Sequence, residues 1–354
     1  MYIVVNARFL TQPITGVQRY AIEISQQLKK MLEGEIRFVA PDDIVNKDIV
    51  AKLEVKIIGR HHGHLWEQVD LPLYLKKQGS PLLLNLCNTA PLFYKNKVVT
   101  VHDVAYEVYP QTFSKSFLYA YKFFIPLILR KSRHIITVSE FSKGEICKHY
   151  RTEQTKISVI PNAVNDHFFF VEDNALKRQK YFLAVSSLNY RKNFTAVLEA
   201  FELFIQKNKD ISLYVVGDMK SSAFAYIDIS RHLGNQRIKF LGRISDEELI
   251  RYYSNAVGFI YPSLYEGFGI PPLEAQKCGC PVLCSDILVL YEVCGDSVLY
   301  CNPYDIEDMA SKMSILSTMS EDLRMKGYIN VERFNWKSSA EKLVSILRII
   351  EQQK

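Results

Sequence analysis

The chain has 354 residues, 48% hydrophobic and 23% charged, which describes a globular protein of about two domains and excludes a disordered, collagenous or coiled-coil chain. Lys and Arg outnumber Asp and Glu by 44 to 38. The excess is uneven: residues 1–165 carry 22 basic against 14 acidic side chains, and residues 166–354 carry 22 against 24. The first half therefore suits an anionic partner such as a phospholipid surface, a lipid-linked phosphate or nucleic acid. No apolar run reaches the roughly 18 residues that a membrane span needs. The opening MYIVVNARFL is broken by Asn6 and Arg8 and reads as a first strand, not a secretion signal. Seven scattered cysteines, an odd number, fit reduced cytoplasmic thiols.

In chain order, short apolar runs bounded by turn residues predict strands at 2–7, 36–40, 55–59, 81–86, 97–103, 134–139 and 156–161. Such continuous runs are the mark of strands buried on both faces. An amphipathic helix is predicted from Val17 to Met31. The stretch 162–180 is polar and aperiodic and reads as a linker. The pattern then restarts, with strands at 181–186, 212–217, 238–242, 258–263, 281–286 and 297–302 alternating with helical segments. Two successive β-α series predict an α/β fold of two doubly wound parallel sheets, 1–165 and 166–337. A final amphipathic helix, 338–354, packs back on the first domain. Ligands of such sheets bind beyond the carboxyl ends of the strands, near helix N-termini.

The strand-to-helix junctions therefore hold the candidates. Gly16 opens the first helix after Thr15 and lets backbone N–H groups approach an anion. His102 and Asp103 follow a buried strand, where His102 can hydrogen-bond a substrate hydroxyl. Arg191 and Lys192 adjoin a predicted helix from Phe194, where cations oppose the helix dipole unless they hold an anion. A diphosphate fits, with Arg gripping in bidentate fashion and Lys acting as a point charge. On this reading Lys192→Ala relieves a local repulsion, and stability holds or rises slightly. In YPSLYEGFGIPPLEA (261–275), Gly267 and Gly269 permit close backbone approach and the prolines suit a first helical turn. Glu266 in the loop and Glu274 in the helix can between them grasp the vicinal hydroxyls of two different rings, since one carboxylate accepts two hydroxyl hydrogen bonds.

Glu266 and Glu274 form an E-x7-E pattern that resembles the donor-site signature of family 4 retaining glycosyltransferases of the GT-B fold. The resemblance runs the length of the chain: ARFLTQPITGVQRY (7–20), VHDVAY (101–106), IITVSEFSK (135–143), VIPNAV (159–164), SSLNYRKN (186–193) and KFLGRISDEEL (239–249) occur in the family's order. It implies two Rossmann-like domains facing a cleft, with acceptor on the first and nucleotide-sugar donor on the second. It implies that Glu266 holds the donor hexose, Glu274 the ribose, and Phe268, Gly269 and Ile270 offer N–H groups to the sugar. Arg191 and Lys192 grip the diphosphate, Gly16 closes over it, and His102 contacts the transferred sugar. Ser187, Gly242 and Arg243 fall in donor-site landmarks. Ser186-Ser187 stand where many members carry an Arg, so phosphate binding leans on Arg191 and Lys192.

The function so implied is metal- and cofactor-independent transfer of a hexose, mannose as the best guess, from GDP-mannose or a UDP-hexose to a saccharide acceptor, with retention. The setting is bacterial O-antigen, capsule or exopolysaccharide synthesis, with a lipid-linked acceptor and no nucleic acid. It places the protein in the cytoplasm, with attachment to the inner face of the membrane. Alternatives are a GT-B sugar-nucleotide 2-epimerase, a phosphorylase-like enzyme needing a pyridoxal-phosphate lysine, or a non-catalytic scaffold. The apolar segment 117–129, followed by Arg130, Lys131 and Arg133, reads either as an interfacial helix or as core. His61, His62 and His64 lack the Cys or carboxylate pairing of a metal site, Trp66 reads as core, and Cys278, Cys280, Cys284, Cys294 and Cys301 read as small buried hydrophobes.

Overall fold

The computed structural model describes residues 2–185, 190–217 and 230–352, without the side chains of Ser230 and Ser320. Within these residues the strands form two all-parallel sheets. The first comprises β1 (Ile3–Asn6), β2 (Ile36–Ala40), β3 (Lys56–Ile57), β4 (Leu82–Asn85), β5 (Lys97–Thr100), β6 (His134–Thr137) and β7 (Ile157–Val159), in spatial order β3-β2-β1-β4-β5-β6-β7. The second comprises β8 (Tyr181–Val185), β9 (Ser212–Val216), β10 (Ile238–Gly242), β11 (Gly258–Tyr261), β12 (Val282–Ser285) and β13 (Leu299–Cys301), in order β10-β9-β8-β11-β12-β13. The central strands are buried along their whole length, because helices cover both faces and leave no side open to polar residues. Each expected strand is present; β2 and β10 end where expected, and the others stop one to three residues sooner.

The chain divides into a unit of residues 1–162 with 335–354 and a unit of residues 163–334. The stretch expected to be a linker is instead part of the second unit. Phe168 is buried, and the N–H groups of Val171 and Asp173 donate to Ser254 Oγ (3.0 Å) and Asn255 Oδ1 (2.8 Å). Its polar composition reflects this backbone stitching, with Asp173 capping a short helix, Asn174–Lys177. The last helix, Trp336–Gln352, packs on Gly16–Met31 within the first unit, where Trp336 meets Tyr20 edge-on at 5.9 Å and Ser339 Oγ donates to the Pro161 carbonyl at 2.9 Å.

In the first sheet, strand order reverses between β1 and β4, whose last residues Asn6 and Asn85 lie in register. A buried polar network sits there. Glu67 Oε1 accepts from Asn6 Nδ2 (2.8 Å) and Thr89 Oγ1 (3.1 Å) and lies 3.4 Å from Arg8 Nε, while Arg8 Nη2 donates to Thr89 Oγ1 (2.9 Å). Burial would raise the Glu67 carboxyl, but Arg8, His64 and Asn6 together hold it below its ordinary range.

Candidate active site

The second sheet reverses its order between β8 and β11, which pair at Gly258–Phe182 and Phe259–Leu183. This switch point is where open α/β sheets leave room for a ligand. Ser187, two residues past β8, lies outside the described residues. Arg191 and Lys192 lie on a tight 3₁₀ turn, Tyr190–Lys192. Asn193 follows at φ 54°, a left-handed position Asn tolerates, and donates from Nδ2 to the Pro303 carbonyl at 2.6 Å. The turn is anchored by the helix Phe194–Phe204, whose Phe194, Val197, Leu198 and Phe201 are buried in the unit's core.

The loop after β11 is lashed to that turn at two points. Leu264 N–H donates to the Arg191 carbonyl at 2.8 Å, and Arg191 Nη1 donates to the Tyr265 carbonyl at 2.8 Å. These contacts carry Glu266 onto the basic pair. Lys192 Nζ lies 2.5 Å from Glu266 Oε1, and Arg191 Nη1 lies 3.5 Å from Oε2. Tyr261, the last residue of β11, donates its hydroxyl to the same Oε1 at 2.7 Å. Lys192 Nζ is also 3.3 Å from that hydroxyl and 5.4 Å from the ring centroid. Burial would push the Glu266 carboxyl up; the charges of Lys192 and Arg191 reverse this and hold it at about 2. Burial, reinforced by the Glu266 charge, pushes the Tyr261 phenol well above its ordinary value, so the phenol keeps its proton and donates. Ser263, buried in the same loop, adds to what holds the Glu266 carboxyl low.

Beyond Glu266 the chain passes through Gly267 and Phe268 to Gly269, which caps the helix Ile270–Lys277 at φ 97°. A Cβ at Gly269 would stand 2.8 Å from Leu290 Cδ2 and would strain the backbone. Pro271 lies in the helix's first turn, where a missing N–H costs nothing, and the first N–H groups lack partners within the helix. Glu274 is buried farther along it; burial, and then the Glu274 charge, push the Tyr253 phenol well up.

Thus Arg191, Lys192 and Glu266 come together, and Phe268, Gly269 and Ile270 lead directly from that carboxylate into a helix N-terminus. One expectation is overturned. The basic pair precedes the helix on its own turn and is held by Glu266, so Lys192→Ala strips a buried carboxylate of its nearest cation and lowers stability. Tyr261 escaped the sequence reading; its signal was a hydroxyl-bearing ring at the end of a buried strand, five residues before Glu266.

Gly242 ends β10 at φ 71° and its carbonyl accepts from Gly217 N–H at 2.9 Å. Arg243, next to it, is exposed. In the first unit Gly16 is the exposed first residue of its helix, behind a Thr15–Gln18 capping box. His102 is buried, with Tyr20 edge-on at 4.9 Å. Its Nε2 lies 2.9 Å from the Leu86 carbonyl, which can only accept, so Nε2 carries the proton. Burial pushes His102 below its ordinary value against that hydrogen bond and Asp103, so the ring is neutral with its lone pair on Nδ1.

The three neighbouring histidines take three partners: His61 pairs with Asp70 (3.1 Å), His62 with Asp42 (2.7 Å) and His64 with Glu67 (3.4 Å). Asp42, Asp43 and His62 cluster at the surface, all exposed. Trp66 is core, donating to the Ile58 carbonyl at 2.7 Å, and the five clustered cysteines are buried free thiols. The helix Lys115–Lys131 buries Ile125, Ile128 and Leu129 and exposes Tyr119, Phe123 and Phe124. Lys131 lies over the ring of Phe93, itself 82% exposed, at 4.6 Å. Arg133 is committed elsewhere, donating to Asn96 Oδ1 at 3.0 Å and to the Ile350 carbonyl. No described helix is long and apolar enough to cross a membrane.

Comparison with known proteins bears on these features. The family described as "Glycosyl transferases group 1" matches residues 166–347, over half of the chain, and "Glycosyltransferase Family 4" matches 14–168. The O-antigen chain mannosyltransferase RfbU of Salmonella typhimurium is 30% identical over 349 residues, covering 92% of this chain and 94% of the relative. The O-antigen chain mannosyltransferase B of Escherichia coli is 25% identical over 393 residues, covering 99% and 100%. Among solved structures, HepE of Anabaena in complex with UDP-glucose superposes with a TM-score of 0.76 at 15% identity, covering 98% of this chain and 99% of that one. The fold is therefore GT-B, built of two Rossmann-like units, and the chain belongs to the glycosyl transferases group 1 family and is a glycosyltransferase.

Proposed function

We propose that this enzyme transfers a hexose, mannose first, from a nucleotide diphosphate sugar to a lipid-linked saccharide during O-antigen or related surface polysaccharide assembly. The carrying observation is the pair of cations, Arg191 and Lys192, converging on the buried Glu266 at the β8/β11 switch point. The names of the two mannosyltransferase relatives support the sugar and the setting. GDP-mannose ranks first as donor, with UDP-hexoses next.

The second unit takes the donor and the first the acceptor. Arg191 and Lys192 hold the diphosphate, Glu266 the hexose hydroxyls, and Glu274 the ribose. Phe268, Gly269 and Ile270 offer N–H groups to the sugar, and Ser187, Gly242 and Arg243 complete the donor site. Gly16 and His102 serve from the first unit, His102 as a neutral hydrogen-bonding group. As the bond between the anomeric carbon and the diphosphate breaks, the departing oxygen takes the proton of the acceptor hydroxyl, which attacks on the same face. Configuration is retained, and the charge on the leaving group is met by Arg191 and Lys192 in place of a divalent cation. Activity accordingly persists in excess EDTA; strong inhibition by the chelator overturns that part. The first unit meets an anionic membrane on the cytoplasmic side through Tyr119, Phe123, Phe124, Arg130 and Lys131.

The division of labour is tested by calorimetry with GDP and by transfer of labelled mannose from GDP-mannose. Glu274→Gln weakens GDP binding. Glu266→Gln leaves GDP binding nearly intact and suppresses transfer. Equal losses in both variants contradict the assignment.

A further inference from the structure

Glu266 Oε1 carries two donors at once, the Lys192 ammonium at 2.5 Å and the Tyr261 hydroxyl at 2.7 Å, while Oε2 has the longer approach of Arg191 at 3.5 Å. The two donors differ in what else they can do. Lys192 is a cation on a flexible stem, and a diphosphate offers it more negative charge than one carboxylate does. Tyr261 is fixed. It ends β11 in register with Cys284 of β12, its ring lies 5.7 Å from that of Phe259, and it is buried beneath Gly269, whose Cβ position is 4.0 Å from Tyr261 Cε1.

We propose that Tyr261 is a positioning residue for sugar recognition: its hydroxyl keeps Oε1 of Glu266 in place when Lys192 turns to the donor's diphosphate, so that Oε2 meets the hexose hydroxyls in a set orientation. The proposal rests on the donor-site reading above and adds to it a residue that does not itself touch the donor. Without the phenol, a carboxylate released by Lys192 keeps the longer Arg191 contact and is freer to rotate about its terminal torsion, which has broad, roughly two-fold preferences. Part of the donor's binding then goes into re-ordering it. Because the phenol acts only after Lys192 has left Glu266, its loss falls on the sugar and not on the nucleotide.

The test is Tyr261→Phe, which keeps the ring and its packing and removes only the hydroxyl. Calorimetry with GDP and with GDP-mannose, repeated with UDP and UDP-glucose, reads the two halves of the donor separately. Tyr261→Phe leaves affinity for the free diphosphate within about two-fold, and lowers affinity for the matching nucleotide sugar on the order of ten-fold, the scale of a hydrogen bond to a charged group. In a Glu266→Ala background the same substitution changes nucleotide-sugar binding by less than about two-fold, since the phenol then has no carboxylate to hold. Equal losses for diphosphate and nucleotide sugar, or no loss for either, overturn the proposal while the donor site stands. A wild-type protein that binds none of the four ligands overturns the donor-site reading and this proposal with it.

Discussion

Both sheets place a buried carboxylate at the point where strand order reverses, and the two carboxylates are dressed differently. Glu67 in the first unit faces one arginine, Arg8, and is otherwise wrapped by Asn6, Thr89 and His64. Glu266 in the second unit is shared by two cations, Lys192 and Arg191, and by one phenol. The first set holds one permanent cation, Arg8, against its carboxylate. The second gathers two, Arg191 and Lys192, onto one carboxylate, where an arriving anion meets both. A buried ion pair at a switch point is therefore no sign of function by itself; the number of cations gathered around the carboxylate distinguishes the two settings.

The largest effect that tests this contrast is on stability in the first unit. Arg8→Ala strands Glu67 in a buried setting and costs about 3–5 kcal/mol in chemical denaturation, with GDP affinity unchanged. A stable Arg8→Ala protein that no longer binds GDP would reverse the roles of the two carboxylates. Next, Lys192→Ala lowers turnover on the order of 10²–10³-fold, the scale of one lost transition-state donor. Its stability falls less than that of Arg8→Ala, because Arg191 still faces Glu266. Near-normal turnover by the folded variant removes Lys192 from the clamp.

Acid provides a third measure. Glu266 is held at about 2 in the folded protein, below the roughly 4.5 of an unfolded chain. Its pairing therefore stabilises fully above pH about 4.5, and that contribution drains away as pH falls toward 2, about 3 kcal/mol in all. Denaturation between those pH values has a shallower pH dependence in Glu266→Gln than in wild type; parallel curves refute the pairing. The smallest effect lies on the outside of the first unit. Replacing Arg130 and Lys131 by Gln, and sparing the structurally committed Arg133, weakens co-sedimentation with anionic vesicles at low salt by about 1 kcal/mol per residue. Equal sedimentation with neutral and anionic vesicles excludes a role for these charges.

The sheets were legible because a strand buried on both faces is written locally, as an apolar run between turn residues; YFLAVS and GFIYPS each lead into a strand that borders the switch point. The site residues at strand ends were legible for the same reason. What joins them was not: Lys192 and Glu266 are 74 residues apart, and the contact exists only because β8 and β11 are neighbours. Cations beside a helix N-terminus point to an anion, and here the chain itself supplies one, Glu266. The stretch 163–180 misled for a related reason, since its anchoring runs through backbone N–H groups, which leave no trace in side-chain periodicity. Arg133 likewise resembled its basic neighbours until the fold brought the Ile350 carbonyl to it.

The first unit is made of residues from both ends of the chain, with Trp336, Ala340, Leu343 and Leu347 of the last helix buried in it. On the ribosome, residues 163–334 emerge whole while the first unit still lacks a wall. The apolar side of Gly16–Met31 remains uncovered until Trp336–Gln352 has been made, and a chain stopped short of Trp336 never closes it. A chain that lacks Trp336–Gln352 therefore carries a complete second unit tethered to an open, aggregation-prone first one.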